Sequence, residues 1–202
     1  MTTSSLLPPA PDAAETARLS REDWLVAAHA AVVEGGFDAV RVLSLAQALG
    51  VTRGSFYWHF PDHAALLWAL VQRWVEQETA LDTLLRQQAT TDARADLLRV
   101  LEVALNHSGE NLENMRFELA LRGLGRRSAP VAQELQKVDA LRVALFEEHF
   151  LRLCGKPQRA RELAALFYLA IVGSNQALSR PQNPPQQKEF LRGVIASYII
   201  GG

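Results

Sequence analysis

Apolar residues recur along this chain at three- and four-residue intervals, and Gly, Pro and small polar residues punctuate them at helix-like lengths. No run of β-branched residues alternates with period two, so the pattern predicts no strands. Ser20 opens the first helix: its hydroxyl can cap a free backbone N–H, and Asp23 favours the positive helix end. Trp24, Ala28, Ala31 and Val32 share one face, and Gly35-Gly36 stops the helix. A short second helix from about Val42 to Leu49 ends at Gly50. Thr52 stands where it can cap a third helix, Arg53 to about His59, which Pro61 terminates. Asp62 caps a fourth helix running to about Gln88. Further helices are predicted over roughly 92–107, 110–123, 130–153, 158–179 and 185–199. The expected fold is all-α: a three-helix helix-turn-helix head followed by a larger helical bundle. Three parts are expected: a flexible Pro/Ala-rich tail over 1–17, a head over 18–66 and a body over 67–202.

Composition narrows the function classes. Of 202 residues, 49% are hydrophobic, enough for a packed core and too many for wholesale disorder. The longest apolar stretch, Leu163 to Gly173, has 11 residues, against the ~20 that a bilayer requires. Residues 1–17 lack the basic start and long apolar run of a secretory signal. Cys154 is the only cysteine, which excludes an intrachain disulfide and a Cys-based zinc site and fits a reducing cytoplasm. His59 and His63 are four apart, but Pro61 between them prevents a shared helical face, so no metal pair is expected. There is no Gly-rich phosphate loop and no G-x-S-x-G nucleophile setting. The expectation is a non-enzymatic protein with no cofactor and no membrane partner.

Charge alone argues against nucleic acid, because 21 Lys+Arg meet 22 Asp+Glu. By region the contrast sharpens. Residues 1–66 hold Arg18, Arg21, Arg41 and Arg53 against Asp12, Glu15, Glu22, Asp23, Glu34, Asp38 and Asp62, and no lysine precedes Lys137. A head of this kind would grip phosphate through arginines and helix N-termini, with few charged contacts.

The second and third helices, joined through Leu49-Gly50-Val51-Thr52, nevertheless have helix-turn-helix spacing, in which the second helix enters the major groove. Any corner between two helices of a bundle can look like this. The segment Arg53-Gly54-Ser55-Phe56-Tyr57-Trp58-His59-Phe60 adds a dense aromatic block. Phe56 and Phe60, four apart, can bury together while Trp58 points elsewhere. Arg53, Ser55, Tyr57 and His59 supply donors for guanine edges and phosphates, and Gly54 removes a side chain where backbone could approach DNA. As single residues, Arg53 also reads as a solvated surface arginine, and Tyr57 and His59 as partly buried side chains with satisfied polar tips.

Leu45 through Phe60, followed by Ala65-Leu66-Leu67, resembles the DNA-binding segment of TetR-family transcriptional regulators. The resemblance spans residues 20–70 and implies roles at the matching positions. Arg53, Gly54 and Ser55 would face base edges, and Tyr57 and His59 would contact phosphates. Thr52 would cap the recognition helix and touch the DNA backbone, and Trp58 would anchor that helix to the head's core. Two positions depart from the family pattern. His63 stands where members usually carry a phosphate-gripping Lys, and Arg41 replaces the usual Ser/Thr cap of the second helix, where it could reach phosphate itself.

The resemblance further implies a homodimer and a body that binds a small-molecule effector. Helix 158–179 carries Leu163, Leu166, Phe167, Ala170, Ile171 and Ser174 at helical spacing, and helix 130–153 offers Leu135, Val138 and Leu145. A helix apolar over most of its circumference is either deeply buried or packed on two sides. These residues are the expected dimer interface, with a monomer core as the alternative. Polar residues set in apolar stretches are the effector candidates: Asn106, His107, His149, Tyr168, Asn175 and Gln176. Trp68, Trp74, Met115 and Phe117 could wall the site, which suggests an apolar or aromatic effector. The expected function is a ligand-responsive repressor released from a pseudo-palindromic duplex operator. Two alternatives stay open: a helical ligand-binding or protein-interaction dimer whose head no longer binds DNA specifically, and a nonspecific architectural DNA binder.

Overall fold

The computed structural model describes residues 19–106, 112–179, 184 and 186–201. The expected tail over 1–17, His107 and the side chain of Asn106 lie outside the described residues. Nine α-helices are described: α1 (Arg21–Gly35), α2 (Val42–Ala48), α3 (Arg53–Phe56), α4 (His63–Gln87), α5 (Ala93–Asn106), α6 (Leu112–Gly125), α7 (Ala129–Cys154), α8 (Pro157–Leu178) and α9 (Gln187–Ile195). A 3₁₀ turn over Phe37–Ala39 follows α1, and a π turn over Ala196–Ile200 extends α9. Among the described residues there is no strand, and no helix is long and apolar enough to cross a membrane.

Local chemistry sets the boundaries. Ser20 and Asp23 form a capping box: the Asp23 N–H donates to Ser20 Oγ at 3.3 Å and the Ser20 N–H to Asp23 Oδ2 at 2.7 Å. Asp62 caps α4 by accepting from the Ala65 N–H at 2.8 Å. The turn after α2 is a Schellman motif: Gly50 takes φ +68°, its N–H bonds Gln47 O, and the Val51 N–H bonds Ala46 O. A side chain at position 50 would be strained in that left-handed conformation. The expected third helix is shorter than its sequence pattern. Its α-helical part stops at Phe56, and i→i+3 bonds from Tyr57, Trp58 and His59 carry the chain to Pro61.

Two apolar cores are arranged along α4. The first gathers Trp24, Val32, Phe37, Leu45, Phe56 and Phe60 of the head with Leu66, Leu70 and Trp74 of α4, and adds Phe117 and Leu121 of α6. The second lies in the body, where Leu97, Leu101, Met115, Phe146, Phe167 and Ile195 pack together. α7 and α8 form a hairpin through Gly155-Lys156, stapled by edge-on contacts of Phe167 with Phe146 (4.9 Å) and Phe150 (5.7 Å). Thus α4 runs unbroken from head to body, and α6 contributes to both cores.

That packing corrects the expected dimer interface. Leu135, Val138, Leu145, Leu163, Phe167, Ile171 and Ser174 are all buried inside one protomer, and Ala170 is half-buried. Leu135 and Val138 pack in the first core beside α6, and Leu145, Leu163, Phe167 and Ile171 in the second, so these side chains are covered within the protomer. Of the expected residues only Leu166 stands open, 51% exposed.

Candidate nucleic-acid interface and effector cavity

The recognition segment divides into two faces. Phe56 and Phe60 are buried, stacked on each other at 5.6 Å, and Phe56 meets the Trp24 edge at 5.3 Å. With that space filled, Trp58 has no room in the core. It is 83% exposed, which overturns its expected anchoring role and adds it to the outward face. The i,i+4 spacing of the two phenylalanines already pointed Trp58 away from them.

Thr52, Arg53, Gly54 and Tyr57 share the exposed face, with Ser55 and His59 half-buried at its edge. The Arg53 guanidinium donates to Tyr57 Oη at 3.2 Å, which orients both side chains. Gly54 has no positive φ, and a Cβ there would meet only Thr52 Oγ1 at an ordinary 3.7 Å. Neither backbone conformation nor internal packing therefore requires glycine at 54. Thr52 occupies the N-cap position of α3, but its side chain makes no capping bond, contrary to expectation. Its carbonyl instead accepts from the Ser55 N–H at 3.0 Å. Arg41 is the N-cap residue of α2, exposed and likewise without a side-chain capping bond. His63 opens α4 with Nε2 2.7 Å from Val40 O. A carbonyl only accepts, so Nε2 carries the hydrogen and the ring is tied to the entry of α2. Only Nδ1 is left for another partner.

Four of the head's acidic residues have partners of their own. Asp23 and Asp62 are caps, Glu22 accepts from Arg73 of α4 at 2.6 Å, and Asp38 pairs with Arg127 of the body at 3.4 Å. The body thus supplies cations that the head's own composition lacks.

A cavity of about 90 Å³ lies in the body between α4, α5, α6, α7 and α8. Leu81 and Leu85 of α4, Val100 of α5, Phe146 of α7 and Ile171 of α8 form its apolar wall. Met115, Tyr168 and Asn175 of the expected effector residues line it; the others described do not. Trp68 sits on the outer face of α4, 40% exposed, in a surface groove beside Arg21 and Leu25. Phe117 projects from the far side of α6, stacked on His29 at 4.7 Å and tilted against Phe37 at 5.6 Å. Burial pushes the His29 imidazole below its ordinary value. His149 is buried beside Asp96 and Arg152, with Nδ1 3.1 Å from the Arg152 guanidinium. Gln176 is exposed on α8. Trp74 lies in the first core, under the Arg142 guanidinium at 5.8 Å.

Sequence reasoning missed the charged part of the cavity: Glu78, Asp82, Glu118 and Arg142 also line it. Arg142 grips Glu118 with two bonds, 3.0 and 2.9 Å, and reaches Glu78 at 2.8 Å. Arg122 bonds Glu118 at 2.7 Å and Asp139 at 2.7 and 3.0 Å. Burial alone would raise the Glu118 carboxyl, but the Arg142 and Arg122 guanidiniums outweigh it and hold the group down at about 2. Burial, then a hydrogen bond with Asp139, pushes the Tyr168 phenol up to about 12. The signal was present in the sequence as charges at core register: Glu78 and Asp82 flank Leu81 on α4, and Glu118 falls between Met115 and Leu121.

The helix-turn-helix head with an exposed recognition face, on an all-α body with an internal cavity, defines the architecture of a helical DNA-binding regulator. Residues 25–70 match the family model described as bacterial regulatory proteins, tetR family. That match covers the helix-turn-helix and the start of α4, so the head is similar to the DNA-binding segment of that family. A transcriptional regulator from Rhodococcus sp. Rha1 shares the fold with a TM-score of 0.74 at 19% identity, over 91% of this chain and 97% of that one. A TetR transcription regulator from Haloarcula marismortui gives 0.74 at 16% identity, over 90% and 96%. A chain described as a transcriptional regulator from Saccharomonospora viridis, crystallised with choline, gives 0.73 at 19% identity, over 89% and 94%. No curated protein matches the chain by sequence.

Proposed function

We propose that the protein is a homodimeric transcriptional repressor that a small molecule releases from a pseudo-palindromic operator. The observation that carries this reading is the double duty of α6. Met115 and Glu118 line the cavity, whereas Phe117 and Leu121 of the same helix pack into the head's core. A ligand that moves α6 must also move what rests on its other face. α4 crosses between the same two regions, with Glu78 and Asp82 at the cavity and Leu66 and Leu70 in the head. A ligand that prefers the released arrangement by ~1–3 kcal/mol would change DNA affinity ~5–150-fold. The choline bound in the Saccharomonospora viridis relative supports a small-molecule occupant for a body of this fold.

At the DNA, Arg53, Gly54 and Ser55 are assigned to base edges. Thr52, Tyr57, His59, Arg41 and Nδ1 of His63 are assigned to phosphates, and Trp58 packs its exposed ring against the duplex backbone. Two copies would set recognition helices about one helical turn apart, ~34–36 Å or a multiple of it. The domain division follows these roles: a head over 18–66 that reads DNA and a body over 67–202 that senses and pairs.

Selection of binding sequences from random duplexes at low salt tests the reading. Enrichment of a two-fold-symmetric sequence is expected, and no enrichment of any sequence would sink it. On the selected operator, Arg53→Ala should cost ~1–3 kcal/mol and relax preference at one base position per half-site. A loss that is uniform across sequences would instead make Arg53 a phosphate contact.

A further inference from the structure

We propose that the occupant of the body cavity is a small organic cation: a protonated amine on an apolar body, whose N–H donates to Oδ1 of Asp82. The proposal rests on the ligand-responsive reading above and names its effector class.

The Asp82 side chain is 11% exposed and lines the cavity. Its Oδ2 accepts from Arg86 Nε at 2.8 Å, while Oδ1 is buried with no hydrogen-bond partner. A carboxylate oxygen buried without a donor is costly, and its partner must be a donor because an ionised carboxylate only accepts. The neighbouring guanidiniums are already committed. Arg142 holds Glu118 and Glu78, Arg122 holds Glu118 and Asp139, and Arg86 is shared between Asp82 and Glu148. Among the described residues, the carboxylates of Glu78, Asp82, Glu118 and Asp139 therefore face only three guanidiniums, and Oδ1 of Asp82 is left without a donor.

Each alternative occupant meets an obstacle. An anion would enter against that surplus, with no uncommitted guanidinium shown to receive it. A metal ion needs several converging ligands, and among the described residues no group of His, Cys, Asp or Glu is arranged to hold one. A neutral hydroxyl could donate to Oδ1 but would leave the charge uncompensated. A protonated amine does both, and its charge-assisted bond is the stronger kind. Glu78 lies one turn away on the same face of α4 and can share the ammonium. Leu85 of the same helix, with Val100, Phe146 and Ile171 from α5, α7 and α8, would cover a hydrocarbon or aromatic body. The volume of about 90 Å³ selects a small one.

The test is calorimetric titration of the full chain at neutral pH with three amines, each against its own alcohol: benzylamine, cyclohexylamine and n-hexylamine against benzyl alcohol, cyclohexanol and n-hexanol. At least one amine should bind about tenfold or more tightly than its alcohol, the discrimination expected of a buried charged hydrogen bond. Asp82→Asn should erase that preference while alcohol binding persists. Failure of every amine to outbind its alcohol overturns the proposal, and so does a preference that survives Asp82→Asn. The comparison on the unmodified chain decides by itself if the variant does not fold. Duplex selection with the same preparation separates the two readings. Operator enrichment without amine preference removes only the cation, whereas amine preference without enrichment removes the regulator and keeps the cation site.

Discussion

Arg142→Ala is expected to lower the unfolding free energy by about 3 kcal/mol or more, measured by urea denaturation. Arg142 makes both bonds of a fork to Glu118 and a further one to Glu78, with its guanidinium over the Trp74 ring. Its removal leaves two carboxylates lining the cavity with one fewer countercharge and opens a gap beside Trp74. Breaking one side of such a network costs more than the network adds, because the stranded charge keeps its desolvation penalty. The pH dependence carries the same signature. The Glu118 carboxyl is lowered from an ordinary 4.5 to about 2. A group depressed in the folded state stabilises above its unfolded value and loses that contribution as pH falls through its folded one. Stability should therefore decline between about pH 4.5 and about pH 2, and Glu118→Gln should flatten that decline. An unchanged acid profile in Glu118→Gln would show that the network does not govern acid stability.

The parts of the fold written in local chemistry were legible. Ser20, Gly36, Gly50, Asp62 and Gly155 mark helix ends by capping or by left-handed backbone, and these signals need no knowledge of the rest of the chain. The pattern set the fourth helix at Asp62 to about Gln88, and it spans His63–Gln87. What depends on several helices meeting was not legible. The cavity draws residues from five of them, and only when they assemble does it become clear that Glu78, Asp82, Glu118 and Arg142 share one space. Periodicity also misled at Phe117, which is as apolar and buried as Met115 but stands on the opposite face of α6. The same limit applies to α8, whose circumference is apolar nearly all round. The pattern identifies two packing faces without saying which one belongs to the protomer.

That second face carries the largest expected functional effect. Leu163, Phe167, Ile171 and Ser174 occupy the side of α8 turned into the protomer, so Leu166 (51% exposed) and Leu169 (63% exposed) point the other way. Phe190, Val194 and Tyr198 continue an open apolar surface along α9 and its π turn, 65%, 38% and 80% exposed. A second copy of the chain, related by a two-fold axis, would cover both helices at once and bring two heads to one duplex. Leu169→Arg places a charge in the middle of that contact while leaving the buried side of α8 untouched. The variant should remain helical and folded but sediment as a monomer. A monomer binds one half-site without the effective concentration that the second head supplies, so operator affinity should fall ~10²–10⁴-fold. Binding to a single half-site duplex should hardly change. A variant that stays dimeric, or that becomes monomeric without losing operator affinity, would show that this face does not join the two heads.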